Sequence, residues 1–482
     1  MSADLPPDQP PEPTGDPSAD GPPRGHVAAI VMAAGKGTRL RSDTAKVLHP
    51  VAGRSLLHHV LGVLAPLGLG RIVVVVGHQA DDVAAHARDS GLDNVVTVVQ
   101  QPQHGTGHAV EVGLSAIDAA DKVLVVNGDA PLLTAATLAR LADQPVGTSA
   151  ILSTELDDPT GYGRIVRDAD GAVLGVVEER DCTEEERAIR SVNGGMYVFD
   201  HDGLADRVAA IGTDNEQGER YVTDLVGLLV AERREVRVVT APAVELTGVN
   251  DRAQLARAGQ ALRRRHLDEM MASGVTVMDP EATWIDVTVD VEPDATILPG
   301  CLLTGATHVA AGAVVGPHTE LHDTEVAAGA RVRQSVCDTV AIGPDAQVGP
   351  FAHLRPGTEL GPHGKVGAFA ETKNATIGAR SKVPHLSYVG DATLGEDVNF
   401  SCGAVTVNYD GFDKHHTTVE DGAFVGCDTM LVAPVTVGTG AFVAAGSTVT
   451  EDVPPGALAI ARARQTVKEG WADQRRAEHD AD

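Results

Sequence analysis

"AIGPDAQVGPFAHLRPGTELGPHGKVG", residues 341–367, carries an aliphatic residue at every sixth position: Ile342, Val348, Leu354, Leu360 and Val366. Ile377, Val383 and Val389 keep the spacing, as do Val425, Leu431, Val437, Val443 and Val449. A glycine often follows, at Gly343, Gly349, Gly361, Gly367, Gly378, Gly390, Gly426 and Gly438. A generic Gly- and Val-rich β region has no reason to hold a six-residue phase over this length. A parallel β-helix does: short strands alternate with turns, one aliphatic side chain per strand points inward, and stacked coils bury each other's faces. This domain is expected over 275–471. "VNYDGFDKHHTT" (407–418) lacks the inward aliphatic and is expected to leave the stack as a loop. In repeat scaffolds such insertions gather on the binding face.

Upstream the text changes twice. "DRAQLARAGQALRRRHLDEMMASG" (251–274) has apolar residues at helical spacing and ends on glycine, which predicts a linker helix. Over 26–250, "VAAIVMA" (27–33), "RIVVVVG" (71–77), "NVVTVVQ" (94–100) and "KVLVVNGD" (122–129) are nearly unbroken aliphatic runs. Such runs suit strands buried on both faces of a parallel sheet. "RSLLHHVLGVLAPLG" and "ADDVAAHARDSG" between them read as crossover helices. The expected fold is a doubly wound α/β domain.

A chain of 482 residues accommodates about three such units. Its formal net charge of -29 repels nucleic acid and anionic membrane, so a phosphate ligand must be held by local cations and backbone N–H groups. The five cysteines are scattered and odd in number, which fits a reducing cytoplasm better than a disulfide framework. Residues 1–25 are Pro-rich and acidic, lack the features of a signal peptide and are expected to be a disordered tail, as are 472–482. No apolar run reaches the ~18 residues of a membrane span.

"AIVMAAGKGTRL" (29–40) is the first chemical signal. Leu40 stands where a G-x-G-x-x-G motif needs its third glycine, and the stretch is not a G-x-x-x-x-G-K-[ST] loop. What remains is a strand, a glycine turn and the cations Lys36, Arg39 and Lys46. Gly35 and Gly37 allow close backbone approach, so N–H groups and cations suit phosphate oxygens. The alternative is a tight turn with solvated cations. Asp129 falls at a strand's carboxyl end, where open α/β sheets bind ligands. A carboxylate there suits Mg²⁺ between phosphates, or merely caps the next segment.

"AAGKGTR", "KVLHPVAG", "QHGTGHA", "NGDAPLL", "DDPTGYGRIV", "VVEERDC", "VNGGMYVFD" and "LTGVNDR" together resemble the sugar-phosphate nucleotidyltransferases. With "AHLRPG", "PHLSYVGDA", "VNYDGFDK" and "KEGW", the chain between its tails resembles the bacterial bifunctional N-acetylglucosamine-1-phosphate uridyltransferase/glucosamine-1-phosphate N-acetyltransferases. The resemblance implies a left-handed β-helix and two reactions. In one, the sugar phosphate attacks the α-phosphorus of UTP and pyrophosphate leaves. Ala33, Ala34, Gly35 and Lys46 are then nucleotide contacts, Arg39 and Lys46 suit the triphosphate by charge, and Gln100, Gly105 and Thr106 face the uracil. Asp129 and Asn250 are magnesium ligands, and Gly163, Glu178 and Asn193 hold the amino sugar. Without the resemblance, Glu178 reads as part of a solvated acidic run.

In the other reaction the amine of glucosamine 1-phosphate attacks the thioester of acetyl-CoA. His385 matches the base that takes the amine's proton, a role suited to imidazole; otherwise it reads as one structural histidine among 19. Arg355, Lys373 and Lys414 match sugar-phosphate contacts, and Tyr388 and Asn399 further substrate contacts. Asn408, Tyr409, Cys402, Cys427, Ala445 and Arg462 match acetyl-CoA positions. Small residues such as Ala and Ser are expected where this chain has Cys402 and Cys427. The resemblance also implies a homotrimer in the cytoplasm, with Mg²⁺, UTP and acetyl-CoA as cofactor and co-substrates. Two rivals are a single-activity nucleotidyltransferase with a scaffolding β-helix and a non-enzymatic assembly subunit. His385 and the 407–418 loop argue against the first, and Lys46, Asp129, Asn250 and His385 against the second.

Overall fold

The computed structural model describes residues 24–480. The chain divides into two compact units, at Leu262 and Arg263. This division falls inside the helix Arg252–Ala272, which occupies the predicted linker.

In the first unit the four aliphatic runs form strands Val27–Met32, Arg71–Val76, Val95–Val99 and Lys122–Asn127. Val27–Met32 pairs in parallel with Arg71–Val76 on one side and Lys122–Asn127 on the other. Helices Leu56–Leu64 and Ala80–Arg88 fill the expected crossovers. Aliphatic side chains form a core on each face of the sheet, which is why these strands read as continuous rather than alternating. Antiparallel pairing also enters the sheet, at Arg164–Arg167, Val173–Val177 and Ser191–Asp200. Ser191–Asp200 runs antiparallel between Lys122–Asn127 and Ser149–Glu155. It brings Asn193 and Gly195 to the sheet end where Asn127 and Asp129 lie.

Two expectations for the tails are corrected. Residues 1–23 lie outside the described residues, but Arg24 belongs to the folded unit. It is buried and makes a double contact with the Asp143 carboxylate, at 2.7 and 2.8 Å. At the other end, Trp471–His479 is a helix, where composition predicts none. Its side chains are all exposed, so no packed face advertises it in the sequence.

The second unit is a parallel β-helix. Strands of two to seven residues pair, for most of its length, with the strand three places on, giving three strands per coil. The hexapeptide aliphatics all point inward: Ile342, Val348, Leu354, Leu360, Val366, Val383, Val425 and Val443 are each at most 3% exposed. Coils advance by regular steps, Lys365 over Lys382 and Lys382 over Asn399. The next step, Asn399 over Phe424, is longer. The phase break at 407–418 supplies the extra residues, and the ladder resumes with Thr417–Val419. Among the described residues no helix is long and apolar enough to cross a membrane.

Candidate functional sites

At the carboxyl ends of the first unit's strands lies a cavity of about 340 Å³. Eight of the residues expected there line it: Ala33, Ala34, Gly35, Lys46, Gln100, Gly105, Thr106 and Asp129. Ala33 N–H donates to Val75 O at 2.9 Å, fixing the turn after the first strand. Gly37 is left-handed (φ +59), and a Cβ there would lie 2.5 Å from Lys46 Cβ. The absence of a side chain at Gly37 thus lets the Lys46 stem cross the turn. Its ammonium ion-pairs with Asp129 and donates to Asn250 Oδ1 at 2.8 Å. Val249 N–H bonds Asp129 O at 2.9 Å, which tethers the distant 249–250 segment to the strand end.

The far wall is the start of helix Thr106–Leu114. Gly105 precedes it with φ +100, and Gln100, buried, donates to Gly105 O at 2.9 Å. Arg39 is exposed on a 3-10 turn and does not line the cavity. Gly163, Glu178 and Asn193 form a second group. A Cβ on Gly163 would touch Glu178 Oε2 at 3.4 Å and Asn193 Cβ at 3.5 Å. Burial raises the Glu178 carboxyl above its ordinary range, with Asp181 and Asp224 acting the same way against the Thr223 hydroxyl. Thr223 donates to Glu178 at 3.2 Å. The Asn193 amide donates to the buried Tyr197 hydroxyl at 2.7 Å and accepts from Gly195 N–H at 3.0 Å.

In the β-helix, Arg355, Lys373 and Lys414 form a cation cluster. Lys414, with Arg355, pushes the Lys373 ammonium below the usual lysine range. Glu371 pairs with Arg355 at 2.8 Å. Tyr388 stacks on Glu371, and Gly390 stacks on Lys373. The Tyr388 ring lies across Gly390, where any side chain would collide with it. His385 ends strand Lys382–His385 and is exposed, its backbone stacked on Ala368. Asn399 donates to Ser401 Oγ at 2.9 Å.

The predicted loop is a compact structure of its own. Tyr409 bridges Lys414, and Asp410 accepts from the N–H groups of Phe412 and Asp413 at 2.8 Å and from His415 at 2.7 Å. These donors hold the Asp410 carboxyl far below the ordinary range. Cys402, Cys427 and Ala445 occupy the same corner on three successive coils: Asp428 N–H donates to Cys402 O, and Gly446 N–H to Cys427 O, both at 2.8 Å. Arg462 lies beside the third, its Cδ 3.8 Å from where a Gly446 Cβ would be.

Residues 29–222 match the model of the MobA-like NTP transferase domain. The chain is 50% identical over 419 residues to the bifunctional protein GlmU of Streptomyces coelicolor, covering 86% of this chain and 87% of that protein. It is 48% identical over 461 residues to the protein of the same name from Corynebacterium aurimucosum, covering 94% of each. The chain belongs to the GlmU family. It is therefore a two-activity enzyme, an N-acetylglucosamine-1-phosphate uridyltransferase joined to a glucosamine-1-phosphate N-acetyltransferase, and its β-helix is of the left-handed kind.

The first cavity also has walls that sequence reasoning missed: Gln103, Asn127 and Glu219. Gln103 donates to Ala34 O at 2.6 Å, pinning the turn that carries Ala33–Gly35. Asn127 stands two places before Asp129 at the strand end, a position that was readable. Glu219 comes from a segment with no motif of its own.

Proposed function

We propose that the cavity around Lys46, Asp129 and Asn250 is the uridylyl-transfer site. UTP lies along the Ala33–Gly35 turn with its uracil toward Gln100, Gly105 and Thr106. The amino sugar is held by Gly163, Glu178 and Asn193. Lys46 neutralises phosphate charge, which with positioning supplies most of what phosphoryl-type transfer requires. Arg39 joins from the exposed turn. Mg²⁺ fits the oxygens of Asp129 and Asn250, since both already converge on one cation, Lys46. Bound there, it would draw charge from the phosphates.

In the β-helix, we assign the sugar phosphate to Arg355, Lys373 and Lys414, with Tyr388 and Asn399 beside it. His385 takes the amine's proton as it attacks the thioester. Acetyl-CoA follows the Cys402, Cys427 and Ala445 column, with Asn408, Tyr409 and Arg462 along it. If the contacts at Cys402 and Cys427 are backbone ones, binding survives the thiols. The enzyme works as a homotrimer with small-molecule substrates and no nucleic acid, in the cytoplasm, where its five free cysteines stay reduced. The observation that carries this reading is the gathering of eight sequence-nominated residues around one cavity. The test is one purified chain given glucosamine 1-phosphate, acetyl-CoA, UTP and Mg²⁺. Release of both CoA and pyrophosphate is expected; release of pyrophosphate only, from supplied N-acetylglucosamine 1-phosphate, would favour the scaffolding β-helix.

A further inference from the structure

Asp391 is half-buried at a corner of the β-helix, between two amides. Its Oδ1 accepts from Asn374 Nδ2 at 2.8 Å, and its Oδ2 accepts from Asn408 Nδ2. Asn374 and Asp391 stack on successive coils, bracketed by the pairs Lys373–Gly390 and Ala375–Ala392. Both have left-handed backbones, φ +45 and +46. Asn and Asp are the non-glycine residues that best tolerate that conformation. The corner alone therefore accounts for a short polar residue at 391. It does not account for a carboxylate, because Asn or Gly serves the backbone equally.

The carboxylate is accounted for by its neighbours. Two NH₂ groups meet it, and an ionised carboxylate accepts at both oxygens. Burial works against ionisation, yet the Asn374 and Asn408 amides, with Lys414 and Lys373, hold the Asp391 carboxyl below its ordinary range. An acceptor-only partner also dictates which way the Asn408 amide faces. Its NH₂ must turn to Asp391, which directs its carbonyl oxygen away from that carboxylate.

We propose that Asp391 is a positioning residue for acetyl transfer, orienting the Asn408 amide at the foot of the 407–418 loop so that its carbonyl oxygen is offered to acetyl-CoA. This rests on the reading of Asn408 as an acetyl-CoA contact. The same carboxylate faces the cations Lys373 and Lys414, so one residue joins the acetyl-CoA side of the site to the sugar-phosphate side.

Asp391→Asn tests it in the full-length chain. The left-handed backbone is kept, so the variant folds and its uridylyl transfer is the internal control. An Asn at 391 offers one acceptor and turns its own NH₂ toward a neighbouring NH₂, so the Asn408 amide loses its fixed direction. The KM for acetyl-CoA should rise about tenfold, the scale of one charge-assisted hydrogen bond. The KM for glucosamine 1-phosphate should not rise, because removing a negative charge beside Lys373 and Lys414 favours phosphate. A merely structural corner would raise both. Asn408→Ala should raise the KM for acetyl-CoA by itself, and adding Asp391→Asn should then change nothing more. If Asn408→Ala leaves that KM unmoved, the underlying reading of Asn408 is wrong and the proposal falls with it. If Asn408→Ala raises it while Asp391→Asn does not, or the two effects multiply, Asp391 does not act through Asn408.

Discussion

The Lys46 ammonium bridges the Asp129 carboxylate and the Asn250 amide oxygen, two groups that are 121 positions apart in the chain. The side chains of both Lys46 and Asp129 are less than a fifth exposed. A positive charge held by two oxygens at a strand end marks where the site concentrates its electrostatics. Nothing in the spacing of Asp129 and Asn250 pairs them; the fold does, through the Val249 N–H bond to Asp129 O.

Asp129→Ala should lower uridylyl transfer by at least ~10²-fold, the usual scale for losing a group aimed at developing charge. Acetyl transfer by the same protein should stay near wild type. Pyrophosphate and CoA release, measured separately, decide it. Comparable loss of both in a folded variant would show that the two reactions are coupled.

Glu178 gives a pH-dependent stability. Its carboxyl is raised in the folded chain, chiefly by burial, so the folded protein holds the proton where the unfolded chain releases it. Stability from this group is complete below the unfolded value near 4.5. It is lost as pH rises through the higher folded value. Glu178→Gln removes that loss. Its melting temperature should exceed wild type at pH 7, and the difference should close as pH falls toward 4. A difference that is constant with pH would mean Glu178 does not carry the effect.

Gly105→Ala should damage the cavity wall before helix Thr106–Leu114, where we propose that the uracil lies. The position has φ +100, and a Cβ would lie 2.5 Å from Arg220 O, a backbone atom. That carbonyl also accepts from Gly107 N–H at 2.7 Å, so it has little room to yield. The cost should be about 1–3 kcal/mol. Titration of UTP binding should show weaker affinity with acetyl transfer unchanged; unaltered UTP affinity would place the uracil elsewhere.

His385→Ala should slow CoA release by ~10²–10⁴-fold at saturating acetyl-CoA while acetyl-CoA still binds. The exposure of His385 at a strand end agrees with a group that meets substrate. His385→Asn keeps much of the polar shape without the basicity, and should be nearly as slow. An Asn variant with most of the wild-type rate across pH would show that the proton goes elsewhere.

Sedimentation of the active enzyme should give a homotrimer, closed symmetric rings being the ordinary form of homo-oligomers. An active monomer in the acetyl-transfer assay would contradict the homotrimer.

Periodicity makes the β-helix legible in the sequence, because an inward aliphatic at every sixth place is a direct demand of the stack. The runs Ile342–Val366, Ile377–Val389 and Val425–Val449 obey it; the phase slips by one residue between Val366 and Ile377, and the long insertion at 407–418 is where the chain leaves the ladder. The α/β strands were legible for a related reason, as both their faces are buried. Ser191–Asp200 was not, since "SVNGGMYVFD" shows nothing of its direction. Gln103 and Glu219 were missed because their role depends on which loops the sheet gathers. Arg24 was missed because the acidic, Pro-rich stretch before it dominates the local composition, while its partner Asp143 is 119 positions away.

Because Cys402, Cys427 and Ala445 share one corner on successive coils, their separation belongs to the ladder rather than to their side chains. Parallel strands repeat at about 4.8 Å, so points of contact along this edge fall at fixed intervals. The extra residues at 407–418 enlarge one coil sideways without stretching that interval, since Phe424 still stacks directly on Asn399. The edge therefore works as a ruler graduated in coils: an elongated ligand laid along it is measured in whole divisions, and side-chain changes alter the grip at each mark without moving the marks.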